Sequence, residues 1–436
     1  AFAALTSAVD NVVLGNLAGA ALTSAARCIL IGSDAGGALT TANNNILVGT
    51  DAGAAATSMY HSVGVGYQAL GSGTVTGDNK VAIGYQAGYS TTSGHSDIAI
   101  GFEAMKLNTT GVRNIAIGYS ALDVPDTEGD NIAIGYDAMG GSVAGGEENI
   151  AIGNYALDAL TSGDDNIAIG HNAGGAITTG SNNTFVGRAA GEATTDGPDN
   201  TAYGFQALLS NTTGDRNMAI GKNALNAPDT ENDNVGIGFN ALGGAIAGGV
   251  QNVAVGNYAL DALTSADNSV AIGYQAGTAV TTGSDNILIG VTTGDGLTTG
   301  GTNLAIGNAA LGQPDAESNN MAIGHNSLGG AINGGEYNVA VGVSTLNGLT
   351  SADNVTSIGY AAGQYTTTGG NSVFLGAYAG NSNTTGDSII AIGKSCYNQA
   401  DTETHNLGIG RNALGGVIAG AEYNVAIGND TLDAIT

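Results

Sequence analysis

The feature that most constrains this chain is a glycine that returns every seventeen residues. It closes a five-residue motif written NIAIG, NVAVG, NMAIG or NLAIG, at Gly15, Gly32, Gly49, Gly66, Gly84 and onward to Gly410 and Gly428, in 25 copies across 436 residues. The step is 17 except for five steps of 18, which end at Gly84, Gly153, Gly256, Gly342 and Gly428. Recurrence from one end of the chain to the other makes the repeat the unit of folding. Seventeen residues are too few for a strand–helix–strand crossover or a propeller blade. They suit one coil of a parallel β-solenoid: two short strands, two turns and a rise of about 4.8 Å to the next coil. The expected fold is all-β, one continuous solenoid domain (a β-roll) over residues 1–436, with about 25 coils of 17–18 residues. Its expected length is about 120 Å at that strand spacing.

The consensus coil reads N-I-A-I-G-Y-x-A-L-x-x-x-T-T-G-x-D, and its places are numbered here from the asparagine. The asparagine is present in 17 of 25 coils, so stacking predicts a ladder of side-chain amides, interrupted at Cys28, Ser62, Lys80, Asp97, Val355 and Ile389 among others. Place 8 is alanine in 20 coils and small in the rest; place 9 is leucine in 12 and glycine in 10. Turn residues follow, as in LTSGDDN and SNTTGDRN.

Alternating side chains put the two isoleucines of NIAIG on one face and the alanine on the other, so the strand is apolar on both sides. A sheet with one wet face carries polar residues there. The expectation is that one face lines the coil's own thin interior, while the alanine-paved face meets a neighbouring chain at close range. Burying more apolar surface by association favours three chains about an axis. A triangular monomeric solenoid closing on one core is the alternative.

Composition narrows the function classes. Charged residues make up 11 % and proline numbers 4, unlike a disordered chain. The net charge is −28, with nine basic residues scattered singly, so nucleic acid and anionic membranes are poor partners. Acidity of this kind favours solubility. No apolar run approaches the length of a membrane span. The chain opens on AFAALTSAVDN and stops at NDTLDAIT, both within coils, which reads as a segment of a longer fibre.

The recurring N-[IVS]-A-[IV]-G resembles the head repeats of trimeric autotransporter adhesins, the YadA-like head. The longer form NIAIGYSAL…NTTGDRNMAIG is similar to repeats of phage tail-fibre and bacterial surface fibre proteins. The resemblance covers all 25 coils. It implies a left-handed parallel β-roll, a homotrimer, an extracellular place on a virion fibre or cell surface, and a cell-surface glycan or receptor as partner. The coil here is longer than the usual adhesin-head coil. The family's membrane barrel, coiled-coil stalk and chaperone domain are not in this sequence.

A slower period overlies the first. DVPDTEGDN, NAPDTENDN, GQPDAESNN and NQADTETHN begin at 123, 226, 312 and 398, each followed by an 18-residue coil of the GGAIAGG kind. Duplication accounts for it, and a lateral contact recurring along a fibre is the alternative.

No residue is assigned a catalytic, cofactor-binding or metal-binding role. Cys28 and Cys396 lie too far apart along a solenoid to bridge. The histidines at 61, 95, 171, 325 and 405 lack metal-ligand spacing. Turn aspartates offer oxygens to calcium, but the nonapeptide of calcium-binding β-rolls is absent. No serine–histidine–acid pattern or acidic cleft appears, so the chain reads as no enzyme. Aromatic residues after the glycine (Tyr67, Tyr85, Phe102, Tyr119, Tyr136, Phe205, Phe239, Tyr274, Tyr360) form a column that either covers a coil corner or binds sugars or other chains. The NTT sequons at Asn108, Asn211 and Asn383 read as turns. The function expected is the shaft of a phage-type receptor-binding tail fibre, a structural and adhesive element performing no chemistry. The alternative is a secreted bacterial adhesin or surface filament subunit binding glycans, matrix or its own kind.

Overall fold

The computed structural model describes residues 9–124, 127–141, 143–418 and 420–433. Residues 1–8 of the opening segment, Pro125 and Asp126 of DVPDTEGDN, and residues 434–436 of NDTLDAIT lie outside them. The chain forms two compact units, Ala1–Asn217 and Met218–Thr436. Each is a parallel β-solenoid, and no helix occurs among the described residues. In the first unit the NIAIG-type strands run from Val12–Leu14 to Thr201–Tyr203, and in the second from Met218–Ile220 to Val425–Ile427. Each of these strands has three residues, at places 2 to 4, and within each unit it pairs in register with the next: Ile115 with Ile132, Ala116 with Ala133, Ile117 with Ile134.

The strand is short because glycine ends it. At place 5, φ is +149° at Gly118 and +146° at Gly135, a backbone that side chains rarely adopt. A Cβ on Gly118 would also stand 2.6 Å from the carbonyl carbon of Gly135 in the next coil. Residues 7, 9 and 17 then take left-handed conformations, as at Gln206 (φ 54°), Leu208 (55°) and Arg216 (54°), and wrap the chain round two corners.

A second strand per coil is expected but among the described residues is found only near the start, where Ser24–Ala26 pairs with Thr41–Asn43. Elsewhere the return limb is held differently. The N–H groups of Thr161 and Ser162 both donate to the Thr178 carbonyl (2.9 and 3.0 Å), and the Thr161 hydroxyl donates to it as well. Two successive N–H groups aimed at one acceptor do not fit a pleat, in which they alternate in direction.

The interior reverses the sequence expectation for the strand faces. The alanine of NIAIG points into its own coil: Ala116, Ala133, Ala151 and Ala168 are fully buried within a single chain. The isoleucines that flank it are half-exposed. The interior is too thin for a large residue from both limbs, and places 3 and 9 share the space. Leu30, Leu47, Phe185, Leu288 and Phe374 at place 3 each accompany glycine at place 9, while Gly64, Gly236 and Gly408 accompany Leu70, Leu242 and Leu414. A Cβ on Gly191 would collide with the Phe185 ring.

The asparagine ladder lies inside this core. Asn149 Oδ1 accepts the Asn166 N–H (3.0 Å), and Asn149 Nδ2 donates to the carbonyl of Gly163 (2.9 Å), so each amide ties its coil to the next. Such bonds satisfy backbone groups that burial would otherwise leave unpaired.

Candidate functional site

Turning the alanines inward leaves the aliphatic pairs outside. Places 2 and 4 hold apolar residues in every coil of the first unit except at Thr184, Thr201 and Tyr203, and in every coil of the second except at Thr356. None of these side chains is buried; Ile117 is 36 % exposed and Ile272 40 %. Each unit therefore carries a band of aliphatic side chains two residues wide and as long as its stack. A dozen rungs span about 53 Å at the strand spacing. The band's open area is on the order of 1,000 Å², whereas the largest apolar patch on a typical monomer is a few hundred.

The column at place 6, just past the glycine, borders this band. From Tyr67 through Tyr85, Phe102 and Tyr119 to Tyr136 the rings stack at centroid distances of 5.3, 4.9, 4.9 and 5.1 Å. The coil rise sets that spacing, and the rings stay exposed. Place 6 carries no Asp or Glu in any coil and four of the nine basic residues: Arg188, Lys222, Lys394 and Arg411. In so acidic a chain it is the column least hostile to an anion. At Arg188 the ladder opens into a cleft, lined also by His171, Asn172, Glu192, Phe205 and Gln206.

The slow period resolves into a clasp between successive coils. Its glutamate stands where other coils have the glycine of place 15, and its side chain folds under its own turn. Glu317 Oε2 accepts the N–H groups of Asp315 (2.8 Å) and Ala316 (3.0 Å), while Oε1 accepts that of Gly334 in the next coil (2.7 Å). Glu231 does the same with Asp229, Thr230 and Gly248, and Glu403 with Asp401, Thr402 and Gly420. The receiving glycines have φ of 109°, 103° and 75° at 248, 334 and 420. In three of the four copies of the slow period the glutamate thus bonds the next coil of its own chain. Sequence reading missed it, although glutamate in a glycine place was visible.

The remaining candidates are structural. Cys28 is buried in the asparagine ladder and donates its N–H to Asn11 Oδ1 (2.8 Å), so the amide below serves it as it would an asparagine. Burial raises the Cys28 thiol and pushes that of Cys396 up to about 11. All five histidines are exposed, and among the described residues no cluster of His, Cys, Asp or Glu is placed to hold a metal ion. The sequon asparagines 108, 211 and 383 are fully buried, each bonded to the glycine three residues on, which leaves no room for a glycan in the folded coil. Lys80 and Asp97 are buried in consecutive rungs of the ladder. Burial lowers the lysine to about 8 and raises the aspartate to about 6, each partly offset by the other's charge.

Among the described residues no helix is long and apolar enough to cross a membrane. Compared with protein-family models and with curated proteins, the chain finds no match.

Proposed function

We propose that this chain is a structural segment of an extracellular fibre that performs no chemistry, and that its copies associate through the aliphatic face, three about a common axis. The observation that carries the reading is the continuous half-exposed band at places 2 and 4. Its open area compares with the roughly 800 Å² per partner of a standard protein interface. Its regularity supports self-association, since in-register strands give each copy the same surface along its stack. The role is that of the shaft of a receptor-binding tail fibre of the phage type, whose repeats these coils resemble. The resemblance to adhesin head repeats, with the exposed aromatic and basic column as a contact surface, supports a second reading as a bacterial adhesin or surface filament subunit.

The test is mass measurement by light scattering after size exclusion. The wild-type chain is expected at three times its monomer mass, and the triple variant Ile100→Lys, Ile117→Lys, Ile134→Lys at a smaller mass with unchanged circular dichroism. These side chains point away from the core, so the substitutions leave the coil interior intact. A wild-type chain that stays monomeric at tens of micromolar overturns the self-association; a stable dimer overturns the threefold number.

A further inference from the structure

Within the first unit, the residue two places after the glycine is Asn172, Ala189 and Gln206 in three successive coils. The short side chain of Ala189, 7 % exposed, leaves a gap between two amides, and the gap is the floor of a cleft of about 110 Å³. Arg188 forms one wall, its guanidinium carbon 5.7 Å from the centroid of the Phe205 ring. Among the described residues Arg188 makes no ion pair. Across from it Glu192 Oε1 accepts a hydrogen bond from Asn172 Nδ2. Glu192 belongs to the return limb, so the cleft turns the corner away from the aliphatic face.

We propose that this cleft binds a carboxylated pyranose, one uronic-acid unit of an acidic polysaccharide. An arginine without a carboxylate partner presents a planar fork that matches a carboxylate in bidentate fashion. The Phe205 ring, over which the guanidinium rests, lines the cleft with apolar surface beside a bound sugar, and the amides of Asn172 and Gln206 with the Glu192 carboxylate supply donors and acceptors for ring hydroxyls. At about 110 Å³ the cleft is smaller than a closed small-ligand pocket, so it takes one edge of a single sugar ring and leaves the rest in solvent. A neutral sugar leaves the guanidinium unpaired. Polyphosphate or nucleic acid requires several clustered cations, and here Arg188 stands with one carboxylate beside it. The site stands apart from the self-association proposed above, and the two fail separately.

The experiment is saturation-transfer NMR and calorimetry on the full chain with sodium glucuronate, glucose and inorganic phosphate as probes. Two variants install residues that other coils already carry in the same places: Ala189→Gln fills the floor, as Gln206 does next door, and Arg188→Tyr restores the aromatic column. Both are expected to keep the fold and the associated mass. Glucuronate is expected to bind the wild type at least tenfold more tightly than glucose or phosphate, and each variant to lose at least tenfold. Arg188→Lys, which keeps the charge without the fork, is expected to lose severalfold. Equal binding of glucose or phosphate, no glucuronate binding, or unchanged binding by Ala189→Gln overturns the proposal.

Discussion

At the scale of single residues, this fold is decided by how places 3 and 9 divide a thin interior. Phe185 and Gly191 are one solution, and Ala202 with Leu208 in the following coil is another. Both residues of each pair are buried apart from the glycine's missing side chain, so exchanging one member alone mismatches the volume. Phe185→Ala leaves a cavity and is expected to cost about 3–5 kcal/mol. Gly191→Leu alone drives a Cβ into the Phe185 ring and is expected to be destabilising as well, through overpacking. The double variant recreates the alanine–leucine coil next door, and Leu208 already tolerates the left-handed φ that Gly191 has (55° and 59°). Urea denaturation of the four proteins is expected to give a favourable coupling energy of at least 1 kcal/mol, as residues in direct contact commonly do. Additive single effects would show that the two places do not share the space.

At the scale of the coil, the parallel stacking, the in-register ladder and the turn positions were legible because identical residues recur at a fixed period, and only stacking puts like above like. Which strand face turns inward was not legible from the alternation, since isoleucine and alanine are both apolar and alternation carries no sign. The deciding signal lay elsewhere in the sequence: place 3 varies in size against place 9, as at Phe374 with Gly380 and Gly408 with Leu414, whereas places 2 and 4 stay apolar in all but four instances. The Arg188 cleft was hidden for another reason, because it arises from a side chain that is short, at Ala189, and not from a recognisable motif. The glutamate clasp belongs to this scale too. At Glu403, burial pushes the carboxyl up, but the N–H groups of Gly420, Glu403 itself, Asp401 and Thr402 outweigh it and hold it below its ordinary value. A carboxyl lowered on folding contributes stability that is present above its unfolded value of about 4.3 and is lost as pH falls through the folded value. Glu403→Gln is therefore expected to loosen coils 401–420 by about 1–3 kcal/mol at neutral pH. Hydrogen exchange at Gly420 reads that loss locally, where a repeat array need not unfold as one unit. The gap between variant and wild type is expected to narrow as pH drops below about 4; a gap that stays constant would mean the carboxylate charge contributes nothing.

At the scale of the whole molecule, two surfaces oppose one another. The aliphatic face favours contact with further copies, while a net charge of −28 repels them. Which one governs association has a measurable signature, because salt acts on them in opposite ways. Raising ionic strength from about 0.01 M to about 1 M shortens the Debye length from about 30 Å to about 3 Å. Repulsion between like-charged copies then fades, while burial of aliphatic surface is not screened. Seven of the nine basic residues nevertheless sit in the two columns that border the face, at place 6 and at place 17 (Arg27, Arg113 and Arg216). Arg113 already pairs with Asp130 of the next rung in its own chain, both side chains well exposed, and pairs of that kind contribute little. Association through the aliphatic face is therefore expected to tighten with added salt, read as a falling dissociation midpoint in sedimentation equilibrium, and the Ile→Lys triple variant is expected to lose that response. Weakening with salt would instead assign the contact to charges along the borders of the face, and the aliphatic band would have to be covered by something other than this chain.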